Sequence, residues 1–194
     1  MHPFSLDSEA RRTSFIALAV VGTFIAWAQS WFLKMVGVDV PWWVDTMGPM
    51  GFFAMLGAVW DQWLWRLPSL QWLHGVPDLS GVWEVSVTSS HDSHSKTRQG
   101  EARIRQTWSH FSIEFEMPET TSRSSSGSIL LDCGATPELH YTYASRPKAR
   151  ATPTLHTTEG QARLRVVAVD RLTGEYFTGR DRATHGELVL TRVI

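Results

Sequence analysis

The chain has only three tyrosines, Tyr141, Tyr143 and Tyr176, and the last is followed at alternate positions by Thr178 and Arg180. Phenol rings stack on nucleobases or donate their hydroxyls, and a guanidinium meets a phosphate bidentately. Gln106, Ser124 and Ser126 add groups suited to base edges or ribose, completing a candidate ligand-binding set of eight residues. Each member has a plainer reading. The tyrosines can simply fill the ends of a core, and a suspected bulge at Gly127, just after the two serines, leaves their facing open. Arg180 favours a ligand because an unpaired buried guanidinium is costly. Catalytic combinations are thin. Cys133 is the single cysteine, so no internal disulfide can form, and with no basic neighbour it reads as a buried thiol, not a nucleophile. His91 and His94 flank Asp92 in a Ser-rich loop, a metal-like pattern without a fixed scaffold. Gly174 to Gly179 has the glycine spacing of a phosphate loop but neither its lysine nor its helix, and reads as strand. No paired carboxylates or Ser-His-Asp order stands out. The expectation is a binding protein: not an enzyme, with no cofactor and no metal.

The elements that must position these residues alternate in polarity. Val82–Thr88 is apolar at every second position, as are Phe111 to Glu116, Leu139 to Tyr143 and Leu164 to Ala168. Glu101–Trp108, a Ser-rich run from Ser122 to Cys133, Tyr176–Arg180 and Leu188–Arg192 bring the count to eight strands. Turns are expected near 109–110, 118–119, 136–137, 173–174 and 185–186, with a longer loop over 146–159. Period-two patterning with short turns and no helix predicts an all-β, eight-stranded antiparallel up-and-down barrel, minimal and lipocalin-like. Such a barrel is just wide enough for one small ligand. Taking the apolar parity as inward puts Trp83, Val85, Ile104, Ile113 and Leu190 inside, and the same parity turns Gln106, the tyrosines, Thr178, Arg180 and Arg192 inward. A purely structural core has little use for so many groups that each need a partner.

Ahead of the barrel lies a different material. Eight of the ten tryptophans fall in the first 72 residues, with only four of the eighteen basic residues before Asp78. Thr13–Leu33 is 21 uncharged residues between Arg12 and Lys34, long enough at about 1.5 Å per residue to span the ~30 Å bilayer core. It is too long for a signal-peptide core and a second apolar run follows closely. That run, Thr46–Trp60, must recruit Trp42 and Trp43, or Trp63 and Trp65, as interfacial belts. The chain therefore divides into a two-helix transmembrane hairpin (1–66), a Pro-punctuated linker (67–77) and a β-barrel ligand-sensing domain (78–194). Arg11 and Arg12 before the first span and Arg66 after the second predict a multi-pass membrane protein with both termini and the barrel cytoplasmic. Gly22, Ala26 and Ser30 on one helix, and Ala54 and Ala58 on the other, form small-residue faces that close the hairpin on itself or join protomers. From Asp78 onward fourteen basic residues meet fourteen acidic ones, which argues against a DNA or RNA partner.

The order of these features carries a resemblance. A membrane hairpin is followed by Pro77-Asp-Leu-Ser-Gly-Val-Trp83, then Arg105-Gln-Thr-Trp108, the Ser-rich strand, Leu139-His-Tyr-Thr-Tyr143, Leu172-Thr-Gly-Glu-Tyr-Phe177 with Arg180, and Gly186-Glu-Leu188. The chain resembles the two-transmembrane, β-strand-rich effectors of bacterial cyclic-oligonucleotide anti-phage signalling (CBASS). The resemblance implies a barrel that senses a cyclic dinucleotide made by a partner nucleotidyltransferase, a homo-oligomer on activation, and a hairpin that acts on the lipid bilayer to disrupt the inner membrane. Gly81-x-Trp83 alone is equally similar to lipocalin-like barrels, in which a late basic residue such as Arg192 packs over the first-strand tryptophan. The alternative reading is accordingly a membrane-tethered carrier of a lipid or other apolar ligand.

Overall fold

The computed structural model of the chain describes residues 1–37, 42–131, 136–149, 151, 156–180 and 182–193, with the side chains of 42–47 left aside. Cys133 lies outside the described residues. The elements in chain order are β1 (His2–Pro3), β2 (Ser5–Leu6), α1 (Ala10–Met35), α2 (Trp42–Gln62), α3 (Gln71–His74), β3 (Gly81–Ser89), β4 (Thr97–Gln106), β5 (His110–Glu116), β6 (Thr120–Leu130), β7 (Glu138–Pro147), β8 (Thr158–Ala168), β9 (Arg171–Thr178) and β10 (His185–Arg192). They make two units, a barrel of 1–8 with 76–194 and a helical unit of 9–75.

From β3 to β10 each strand pairs antiparallel with the next, and β10 returns to β3. The expected eight-stranded up-and-down barrel is the fold. Inward alternation buries Trp83, Val85, Ile104, Ile113, Leu139, Leu164, Leu172 and Leu190 almost completely. Two expected turns were misplaced. Thr173–Gly174 and His185–Gly186 lie inside β9 and β10, and the chain reverses at 169–170 and 179–184 instead. Gly174 and Gly186 stand where a neighbouring strand comes so close that a Cβ would strike the carbonyls of Arg163 and Thr88. Glycine in a strand here marks close backbone approach. The suspected bulge is real but sits between Ser124 and Ser126, just before Gly127.

One end of the barrel is sealed. Gln106 accepts a hydrogen bond from the Leu79 N–H (2.9 Å) and donates to the Pro77 carbonyl (3.1 Å). The Trp83 indole donates to the Leu79 carbonyl at 3.0 Å. Arg192 lies 4.7 Å over the Trp83 ring and donates to the Asp78 carbonyl at 2.6 Å, the structural role expected for that late basic residue. The incoming segment 76–80 is thereby bolted to the core.

An N-terminal strap belongs to the barrel as well. β1 pairs with β5 and β2 runs parallel to β6, so residues 1–8 are part of the barrel unit, where the expected division had grouped them with the hairpin.

In the helical unit α1 and α2 pack antiparallel: Gly22 faces the Phe53 backbone, and Gly48 faces Ala26. A Cβ on Gly22 would sit 3.2 Å from the Phe53 nitrogen. Ala10, Ser14, Leu18, Gly22 and Ala26 are buried at four-residue intervals, so this small-residue face closes the hairpin on itself. The opposite side of α1 exposes Phe15, Ile16, Val20, Phe24, Trp27 and Trp31. Among the described residues α1 is the one helix long and apolar enough to cross a membrane, where two such helices were expected. The second expected span falls within α2, and its belt residues Trp42 and Trp43 lie among the side chains left aside. The linker contains a 3-10 turn, Pro68–Leu70, and then α3, which ends at Gly75 in the left-handed conformation.

Candidate ligand-binding site

Opposite the sealed end, a cavity of about 470 Å³ opens among the connections β3–β4, β5–β6, β7–β8 and β9–β10. All three tyrosines line it. Deepest are Phe115 and Tyr141, nearly parallel rings 6.2 Å apart at 14°, with Tyr143 tilted beside Tyr141 at 6.1 Å.

Register explains how three phenols fit without filling the space. Tyr141 lies cross-strand from Gly127, Tyr143 from Gly160, and Tyr176 from Gly186. A Cβ at Gly160 would sit 2.5 Å from the Tyr143 hydroxyl, and one at Gly186 would sit 2.8 Å from the Tyr176 ring. At Gly160 and Gly186 the missing side chain is what lets a phenol lie against the backbone of the next strand. Burial pushes the Tyr141 phenol well above its ordinary pKa, aided by the neighbouring Tyr143. The Tyr143 phenol is raised likewise by burial and by Tyr176, with Arg182 opposing. Both stay protonated at physiological pH, so each carries a hydroxyl proton to donate.

Hydroxyls of Ser122, Ser145 and Thr158 line the walls, and Lys96, Arg98, Arg182 and one acid, Glu119, stand at the more open rim. Arg98 already bonds Asp92 at 2.6 Å. No described carboxylate pairs with Lys96 or Arg182. Among the described residues, then, two rim cations have no acid partner, while a third, Arg98, is bonded to an acid that it would have to share.

The structure brings together four of the eight expected site residues: Tyr141, Tyr143, Tyr176 and Thr178. The Thr178 hydroxyl also closes the β9–β10 turn, bonding the Thr184 backbone N–H at 2.8 Å and its carbonyl at 3.0 Å. The other four do not line the cavity. Gln106 is buried at the sealed end with its amide engaged by backbone. Ser124 accepts from the Ile113 N–H at 2.9 Å and bonds the His2 ring at 2.8 Å. Ser126, turned outward by the bulge, is exposed and bonds the Thr142 hydroxyl. Arg180 is exposed because β9 ends at Thr178, so strand parity no longer governs it. Two residues later Arg182 reaches the cavity from the turn. Lys96, Arg98, Ser145, Thr158 and Arg182 were not foreseen; extending the β4 and β7 parity outward would have found Arg98 and Ser145. Among the described residues no group of three metal-ligating side chains occurs, and His94 packs its ring 5.7 Å from that of His185.

A family model described as Cap15, cyclic dinucleotide receptor domain, matches residues 74–192. "CD-NTase-associated protein 15" of Yersinia aleksiciae is 31% identical over 184 residues, covering 93% of this chain and 85% of that protein. Among solved structures, one redesigned β-barrel aligns with a TM-score of 0.34 at 14% identity, covering 60% of this chain and 92% of its own. A second, bound to DFHBI, aligns at 0.29 and 16% identity, covering 59% and 98%. Neither structural likeness bears on the site.

Proposed function

The chain belongs to the Cap15 family of cyclic dinucleotide receptor domains, and from that premise we propose that it is a CBASS effector whose barrel binds a cyclic dinucleotide in the open-ended cavity. The partner nucleotidyltransferase supplies the ligand. The barrel is the cytoplasmic sensor, not an enzyme, and the helical hairpin is the output: it crosses the inner membrane, and ligand binding drives assembly and membrane disruption. One observation carries the reading: three phenols, wall hydroxyls and two cations without a described carboxylate partner converge on one cavity of about 470 Å³. That volume lies within the roughly 300–1,000 Å³ usual for small-molecule and cofactor sites. A cyclic dinucleotide presents two flat bases and two phosphates, which match stacking rings and rim cations. The apolar outer face of α1 supports the membrane role, since so much exposed aromatic and aliphatic surface needs a lipid or protein cover. An apolar carrier fits less well, because rim cations and buried hydroxyls would be desolvated without partners.

Calorimetric titration of the detergent-solubilised full chain with c-di-AMP, c-di-GMP and cyclic GMP-AMP tests the proposal. Saturable binding of at least one, lost on Tyr143→Ala, is the expected result. No heat from any of them, together with a co-purified lipid in the barrel, would refute it in favour of the carrier.

A further inference from the structure

The barrel is not uniformly laced. β6 and β7 pair over ten register positions, whereas β5 and β6 pair over three, Glu114↔Arg123, Phe115↔Ser122 and Glu116↔Thr121. Beyond Glu114 the two strands part, and the N-terminal strap fills the gap. His2 and Pro3 pair with Phe111 and His110 on β5; Ser5 and Leu6 pair with Ser128 and Ile129 on β6. Between them Phe4 is buried, edge-on to Phe111 at 6.2 Å. His2 bonds the Ser124 hydroxyl, which in turn accepts the orphaned Ile113 N–H. Asp7 accepts from the Leu131 N–H at 2.7 Å. The strap thus takes the place of a missing ladder, and α1 begins at Ala10, only two residues after the strap's last residue, Ser8.

The same seam borders the cavity. Phe115 and Ser122, the central pair of the short zip, line it, as does the turn Met117–Thr120 that joins the two strands. A molecule in the cavity therefore bears on one half of the seam while the strap occupies the other half. The second crossing between barrel and helices contrasts with this. Segment 76–80 is fixed by Gln106, Trp83 and Arg192, none of which lines the cavity. One crossing is anchored and the other is seated on the seam that meets the ligand. A ligand shifts a conformational equilibrium only through contacts that differ between the states, and the seam is where such contacts reach the chain leading into α1.

We propose that the strap, residues 1–8, is the coupling element that carries occupancy of the cavity to α1, and that it does so while docked on the seam. The inference rests on the sensor-and-output reading above and specifies how that site is connected to its output. A flexible Gly-Ser-Gly-Ser insertion between Ser8 and Glu9 tests it, because this lengthens the connection without altering strap, cavity or hairpin. Full-length protein is reconstituted in phosphatidylethanolamine–phosphatidylglycerol vesicles loaded with dye, and the cyclic dinucleotide that binds in the titration is added. The insertion should bind with wild-type affinity, yet its leakage should fall to the ligand-free level. A second variant, Phe4→Asp, undocks the strap and should likewise bind without leakage. Wild-type leakage from the insertion, or leakage from it without ligand, overturns the strap proposal alone. A wild-type protein that neither binds nor leaks refutes the sensor reading instead, and the strap proposal falls with it.

Discussion

Removing the Arg182 guanidinium tests the part of the cavity proposed to meet phosphate. Arg182 is half-buried at the cavity, and no ion pair to a described carboxylate has to break before it meets a ligand. A hydrogen bond to a charged group is worth about 1.5–3 kcal/mol. At about 1.4 kcal/mol per decade, Arg182→Ala should weaken cyclic dinucleotide binding roughly 10- to 150-fold. Arg98 provides the internal control. It already donates to Asp92 at 2.6 Å, so its contact with a phosphate is gained at the expense of an existing bond, and Arg98→Ala should cost less. Because both cations are partly exposed, the Arg182 effect should also shrink as salt shortens the Debye length from ~10 Å at 0.1 M towards ~3 Å at 1 M. Calorimetry on wild type and both variants at low and high salt measures all three quantities, and the unfolding midpoint of Arg182→Ala should match wild type. An Arg182→Ala variant that binds within about twofold of wild type, far below the loss of one charge-assisted bond, would refute the assignment. So would an Arg98 effect larger than that of Arg182.

Two further outcomes probe the frame around the site. Gln106→Ala strands the buried Leu79 N–H and the Pro77 carbonyl; at about 1–3 kcal/mol per unsatisfied group, chemical unfolding should show a loss of roughly 2–6 kcal/mol, with ligand affinity unchanged. Hydrogen bonds from His140 (3.0 Å) and Arg165 (2.9 Å) hold the Glu138 carboxyl below its usual pKa. A depressed carboxyl contributes stability above its unfolded pKa of about 4.3, and this is lost as pH falls through the folded value. Glu138→Gln should therefore cost a few tenths to about 1 kcal/mol at neutral pH, the scale of surface pairs, and nothing in strong acid when denaturant melts are compared across pH.

Period-two alternation made the barrel legible, since one buried face per strand writes itself into the sequence. It also made Tyr141, Tyr143, Tyr176 and Thr178 legible as inward residues. What alternation cannot distinguish is which end of the barrel an inward polar residue occupies. Gln106 and Tyr143 share a parity, but one is surrounded by the backbone of 77–79 and the other by open volume. Arg180 failed for a related reason: parity ends where the strand ends, and turns are located by backbone chemistry that glycine obscured. Gly174 and Gly186 look like turn residues, yet both sit in strands where a Cβ has no room. The strap was invisible because two-residue strands carry no periodicity.

Gly186, misread as a turn, and Tyr176, read as a ligand-binding residue, prove to be two halves of one device. Each cavity phenol faces a glycine on the adjacent strand. At Gly160 and Gly186 any side chain would strike both a carbonyl of the neighbouring strand and the tyrosine ring itself. Backbone proximity and ring placement are thus met by the same substitution to glycine. With a β-carbon at either position, the strand would move out or the ring would move in, and an inward ring would take up the volume that a ligand needs. An eight-stranded barrel of this kind has space either for a packed core or for one small ligand. This barrel divides the two along its axis, with Trp83, Gln106 and Arg192 filling the sealed end and glycine-backed phenols keeping the other end open. The strap then has a reason to lie where it does: it completes the seam on the packed side, where Phe4 adds to the core, and leaves the ligand side to the short three-pair zip.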